Sequence, residues 1–158
     1  MKGNKQLLTV LNDLLADELT AISQYMVHSE MCDNWGYDKL HKAIEAQAID
    51  EMHHAEWLIG RIIFLEGTPV VSKLNPMKIG SKVADMVAYD EEAELGAIRA
   101  YNAGIRLAHE VDDQGTVDLL TKILKMEEDH VDWNECQRDQ IAQMGLENYL
   151  TTQSSGAA

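Results

Sequence analysis

Two short segments of this chain recur, and both place an acid where a helix would bury it. Residues 18–25 read E-L-T-A-I-S-Q-Y and residues 94–101 read E-L-G-A-I-R-A-Y, identical at five of eight positions. Residues 51–57 read E-M-H-H-A-E-W and residues 127–133 read E-E-D-H-V-D-W, so both fit Glu-x-x-His-x-acid-Trp. In each half the Glu-x-x-His begins 33 positions after the upstream Glu. One Glu-x-x-His is ordinary in a chain with 14 Glu and six His. Two of them, each with a Glu partner at the same separation, are not.

Residues i and i+3 share a helix face, so Glu51 and His54 can meet one ion, as can Glu127 and His130. Glu18 lies on an apolar stripe with Leu14, Leu15, Ala21, Ile22 and Tyr25, and Glu94 lies near Ala97, Ile98 and Tyr101. Four carboxylates converging in a core are prohibitively costly unless cations neutralise them. No Lys or Arg stands at the facing positions. Four carboxylates with two neutral imidazoles carry a charge that two divalent cations cancel. Oxygen-rich ligation with one imidazole per ion suits Fe(II) or Mn(II), whereas structural zinc wants more thiolate or imidazole. Two ions roughly 3.5–4 Å apart can share the two electrons that O2 or peroxide takes. On that geometry Glu51 and Glu127 bridge, with Glu18/His54 and Glu94/His130 as terminal ligands.

Such a centre needs four long helices, and apolar periodicity with punctuation supplies them. The first is expected from about Lys5 to Asp33, broken by Gly36. Asp38 is the expected cap of a second, ending near Glu66-Gly67, and Ser81 of a third, reaching about Glu110. Asp112 to Gly115 read as a turn, Thr116 as the cap of a fourth helix, and Gly145 as its stop. A short amphipathic piece follows at Leu146 to Leu150, and residues 151–158 read as a frayed, flexible tail. Short joints make helices one and two, and three and four, antiparallel. Gly67 to Gly80, with Pro69 and Pro76, is long enough to cross the bundle end to end. The fold class expected is therefore all-α: a four-helix bundle with one long crossover, in a single domain spanning 1–158, plus a short fifth helix.

Composition narrows the function classes. The net charge of −14 argues against nucleic acid as a partner, because phosphate binding needs basic patches. Surface acids such as Asp17, Asp129 and Asp132 can draw cations inward or simply keep the protein soluble. Cys32 and Cys136 are too few and too far apart for a disulfide framework, and no Cys-x-x-Cys is present. The N-terminal segment is interrupted by Asp13, Asp17 and Glu18, so neither a signal peptide nor a membrane span is read there, and a cytoplasmic location is expected.

The opening MKG, ELTAISQY, NWG at 34–36, IDEMHHAE at 49–56, RIIFLEG at 61–67, EEDHVDW at 127–133 and MGLENYL at 144–150 resemble the bacterioferritin family over essentially the whole chain. The resemblance implies a ferritin-like bundle with two Fe per subunit at a ferroxidase centre made by Glu18, Glu51, His54, Glu94, Glu127 and His130. It implies oxidation of Fe(II) by O2 or H2O2, and a ferric mineral inside a homo-oligomeric shell of 24 subunits built from two-fold dimers. It further implies haem b shared between two subunits, with Met52 as axial ligand, and a small iron–sulfur ferredoxin as electron donor for iron release. Met52 neighbours Glu51 and so points about 100° away from the ion axis, towards a bundle flank. Without the resemblance it would read as a gap-filler, one of eight Met.

Other residues stay open on the sequence alone. Tyr25 and Trp133 either supply an electron during oxygen reduction or pack the core with one polar handle. His28, His41, His53 and His109 have no ligand-spaced partner and read as solvated or packing residues. Some family members carry an additional inner-surface iron site made by a His and two Asp. Here those positions are Ala46, Asp50 and Met126, so only one acid remains and that site does not carry over. The competing enzyme reading is a di-iron peroxidase or oxygenase, or a dimanganese catalase, on the same bundle. Rubrerythrin-like peroxidases add a Cys-x-x-Cys module that is absent here. A further alternative is a haem-binding or structural oligomer.

Overall fold

A computed structural model describes residues 1–156. Among them are five helices and no strand: α1 (Lys5–Asn34), α2 (Asp38–Phe64), α3 (Val83–Glu110), α4 (Gln114–Met144) and α5 (Leu146–Gln153). None of these helices is long and apolar enough to cross a membrane.

Cross-links fix the directions. Ser29 meets His41 while Gly3 N–H donates to Leu65 O, so α1 and α2 are antiparallel. Tyr25 reaches Glu94 and Tyr101 reaches Glu18, so α1 and α3 are antiparallel too. Helices α2 and α3 therefore run parallel, joined by the crossover between them, as the connection lengths required.

That crossover is extended chain without a sheet partner, and α1 satisfies its backbone. Asn12 Oδ1 accepts from Val70 N–H at 2.8 Å, Thr20 Oγ1 from Asn75 N–H at 2.8 Å, Gln24 Oε1 from Lys78 N–H at 3.0 Å, and His28 Nε2 from Gly80 N–H at 2.9 Å. These side chains recur in multiples of four along α1 and so share one helix face.

The helix ends differ from the sequence expectation in instructive ways. Helix α4 begins two residues before Thr116, and the capping side chain is Asp113, which accepts from Thr116 N–H at 3.1 Å. Gly115 is inside the helix, where a Cβ would stand 2.9 Å from the Arg61 guanidinium, which pairs with Asp113 at 2.5 Å. Asp38 is the first residue of α2 rather than its cap; Tyr37 takes that position. Lys82, not Ser81, precedes α3, and Ser81 Oγ instead reaches Asp85. Helix α2 stops at Phe64, where Glu66 adopts φ 59° and Gly67 N–H bonds back to Ile62 O.

The fifth helix runs to Gln153, three residues further than periodicity indicated. Tyr149 is fully buried and donates to Gln137 Oε1 at 2.8 Å, and Lys39 Nζ caps the Thr152 carbonyl at 3.0 Å. Ser155 N–H bonds to Asp38 at 2.6 Å, so the chain is still held at that point. The expected tail's last residues, 157–158, lie outside the described residues.

Two apolar clusters fill the bundle. One gathers Leu7, Leu11, Leu58, Ile62, Ala108 and Leu120; the other gathers Tyr25, Cys32, Leu40, Ile44, Met86 and Tyr149. Between them the core is polar.

Candidate metal centre

The polar layer between the two clusters is made by the six residues singled out above. Glu18 comes from α1, Glu51 and His54 from α2, Glu94 from α3, Glu127 and His130 from α4. All six are buried, the most exposed being His130 at 6%. Their ligand atoms form two tight groups, Glu18–Glu51–His54–Glu127 and Glu51–Glu94–Glu127–His130, each within 4.8 Å. Glu51 and Glu127 belong to both, which is the arrangement two bridging carboxylates require.

Both imidazoles turn Nδ1 to the centre. His54 Nδ1 lies 2.8 Å from Glu51, 3.2 Å from Glu127 and 3.6 Å from Glu18. His130 Nδ1 lies 3.0 Å from Glu51 and 3.4 Å from both Glu94 and Glu127. Yet Glu51 Oε1, both Glu127 oxygens and His130 Nδ1 make no hydrogen bond of good geometry. Buried polar groups left this way are rare and costly, and a metal ion is the partner that such a donor set fits.

Without metal the charges arrange themselves in pairs. Burial pushes the Glu18 and Glu94 carboxyls well above the usual range, and the nearby Glu51 charge pushes them further. For Glu51 and Glu127 burial pulls the same way, but the close approach of the His130 and His54 imidazoles outweighs it and holds both below the usual range. Burial opposes charging His54, yet hydrogen bonds to Glu127, Glu18 and Glu51 prevail and raise it to about 12. His130 is raised in the same way by Glu127, Glu51 and Glu94. The two histidines are thus pushed towards the charged form, Glu51 and Glu127 towards the carboxylate, and Glu18 and Glu94 towards the protonated carboxyl.

A second layer of contacts orients the ligands. Tyr25 Oη donates to Glu94 at 2.5 Å, and Tyr101 Oη donates to Glu18 from the opposite side. His130 Nε2 lies 3.2 Å from Asp50 Oδ2, and His54 Nε2 lies 3.4 Å from Met126 Sδ. The Trp57 ring is 5.7 Å from that of His54, with Lys122 Nζ 3.5 Å from the indole centroid. Trp133 packs in the second apolar cluster. A cavity of about 300 Å³ opens beside the crossover, past Asp17, Asn75 and Lys78, and its floor includes Glu18, Glu94 and Glu127.

Some of these residues were invisible to sequence patterning. His28 is not solvated: it is fully buried, its Nδ1 2.9 Å from Asp90, a residue 62 positions away to which no motif points. Tyr101 was signalled, since the repeated segment ends in Tyr in both halves. Trp57 was signalled in the same way, since the Glu-x-x-His segment ends in Trp in both halves. Met52 lies outside the centre on α2 with 49% of its surface exposed, and Ile49, one turn earlier, is 42% exposed.

Comparison with known proteins agrees with this architecture. A ferritin-like domain model matches residues 8–144. A bacterial ferritin of Synechocystis sp. is 41% identical over 98% of this chain and 100% of its own length. A bacterial ferritin of Paramagnetospirillum magnetotacticum is 40% identical over 100% of this chain and 98% of its own. A bacterioferritin of Brucella melitensis is 37% identical over 94% and 92%. With that similarity running from end to end, the chain belongs to the bacterioferritin family of ferritin-like proteins.

Proposed function

We propose that this protein is an iron-storage ferroxidase, oxidising Fe(II) at the centre just described and holding the ferric product as a mineral inside a cage of its own copies. The observation that carries this is the pair of four-ligand groups sharing Glu51 and Glu127. Two Fe(II) substrates fit such a donor set, one with Glu18 and His54, the other with Glu94 and His130. Each gives up one electron. The pair reduces O2 to the peroxide level, or H2O2 to two waters with the uptake of two protons. Carboxylate ligands favour the ferric product, and the second-layer tyrosines hold the terminal carboxylates in place.

The cage reading, with 24 subunits assembled from two-fold dimers, rests on family membership. The same family supplies the expectation of haem b between two subunits and a ferredoxin donor for iron release. The residues fit a shared haem: Met52 offers a half-exposed thioether beside the exposed Ile49, and two copies would offer a pair of them. When bound there, haem would supply a path for electrons into the mineral.

Aerobic addition of Fe(II) far beyond two per chain, followed by sizing with iron detection, tests the function. Iron retained in a soluble particle of cage size is expected. Uptake that stops at about two irons per chain, with the excess precipitating, would leave a di-iron peroxidase or oxygenase as the better reading. Glu18→Ala is expected to abolish the rapid phase of oxidation.

A further inference from the structure

The two halves of the chain are related by an internal two-fold, and every pair in the centre obeys it at one separation. Glu18 maps to Glu94, Tyr25 to Tyr101, Glu51 to Glu127 and His54 to His130, each 76 positions on. The contacts obey it as well. Tyr25 donates to Glu94 while Tyr101 donates to Glu18.

The second-layer contacts of the two histidines obey the symmetry in place but not in chemistry. Asp50 stands one turn before His54 on α2 and meets His130 across the bundle at 3.2 Å. Its symmetry mate is Met126, one turn before His130 on α4, which meets His54 at 3.4 Å. One imidazole therefore presents its outer nitrogen to a carboxylate and the other to a thioether. A carboxylate on the far nitrogen fixes the ring and strengthens it as a donor, whereas a thioether is only a weak acceptor.

The geometry points to Asp50 and Met126 as positioning residues that make the two ion positions unequal, the His130 side holding its ion more tightly and the His54 side holding the exchangeable one. This rests on the di-metal reading proposed above. The ion beside His54 is then the first to leave, and the ion beside His130 the last. Each side otherwise has one terminal Glu, one His, one Tyr and a share in both bridges, the remaining difference being the Trp57 ring beside His54.

Anaerobic titration of the apo-protein with Co(II), read by its visible absorption and by equilibrium dialysis, tests this without any turnover. Two ions per chain are expected to bind in two steps. Asp50→Asn is nearly isosteric and is expected to weaken the first step by roughly 10–100-fold while leaving the second within about threefold. Met126→Asp, which restores the symmetry, is expected to tighten the second step by about tenfold or more and leave the first alone. Met126→Leu, keeping the bulk, is expected to leave both steps within about threefold of the parent, because a thioether contributes little. Melting curves confirm that each variant is folded; should Met126→Asp fail to fold, Asp50→Asn decides alone. An Asp50→Asn variant that shifts neither step, or that weakens only the second, overturns the inference while the di-metal reading stands. Failure of the parent to bind two Co(II) overturns that reading itself.

Discussion

If two cations load the proposed centre, they compete with protons for Glu18, Glu94, His54 and His130. The direction follows from the shifts: all four groups are raised, the histidines by contacts with carboxylates and the glutamic acids by burial. A group raised in the empty state is protonated across a wider pH range there than when loaded, so loading releases protons and affinity rises with pH. Both imidazoles are pushed towards the charged form, His54 to about 12. We expect net release of protons as divalent ions load, measured by pH-stat under anaerobic conditions. No release would mean that the imidazoles are already neutral before loading. The same linkage predicts weaker binding as pH falls, because every proton added competes for a ligand atom.

Among the elements, the crossover depends on α1 for its hydrogen bonds, and its strongest anchor is the buried His28–Asp90–Gly80 set. His28 Nε2 accepts from Gly80 N–H, so the ring proton sits on Nδ1, facing Asp90, which also accepts from Gln24 Nε2 at 2.8 Å. His28→Leu strands both the Gly80 N–H and part of the Asp90 carboxylate, each worth about 1–3 kcal/mol when left buried and unpaired. Thr20→Val strands only the Asn75 N–H. Thermal melting is therefore expected to show a larger drop for His28→Leu than for Thr20→Val, and a partial recovery in His28→Leu/Asp90→Leu. A drop no larger than that of Thr20→Val would mean that this set is not the main anchor. Sequence patterning could not find this triad, because its members lie in three different elements and share no periodicity. It did find the four helices and the length of the crossover, since buried stripes repeat along each helix and those spacings are local. Helix caps were misplaced by a few residues where a tertiary contact decided, as at Asp113, which caps α4 while pairing with Arg61. The six candidate ligands were legible for a different reason. They repeat, and a repeated cluster of buried acids has few purposes other than holding cations.

At the scale of the whole molecule, several large apolar side chains stand exposed on the single chain. Met26, Val27, Ile49 and Met52 on α1 and α2 are each about two-fifths to one-half exposed, and Val71 and Leu74 of the crossover more than half. In the proposed cage these are the apolar side chains available for packing between copies. Met52→Leu separates the two uses of this surface, because it keeps the hydrophobic side chain and removes the sulfur. If Met52 ligates haem between two copies, the variant is expected to purify with the parent's oligomeric size but with haem reduced to background. Rapid Fe(II) oxidation should persist, since Met52 lies outside the ligand layer. Reductive release of stored iron should slow, because that is the step haem would serve. Haem content equal to the parent's would exclude Met52 as ligand. Loss of the oligomer along with the haem would show that Met52 contributes to packing between copies rather than to ligation alone.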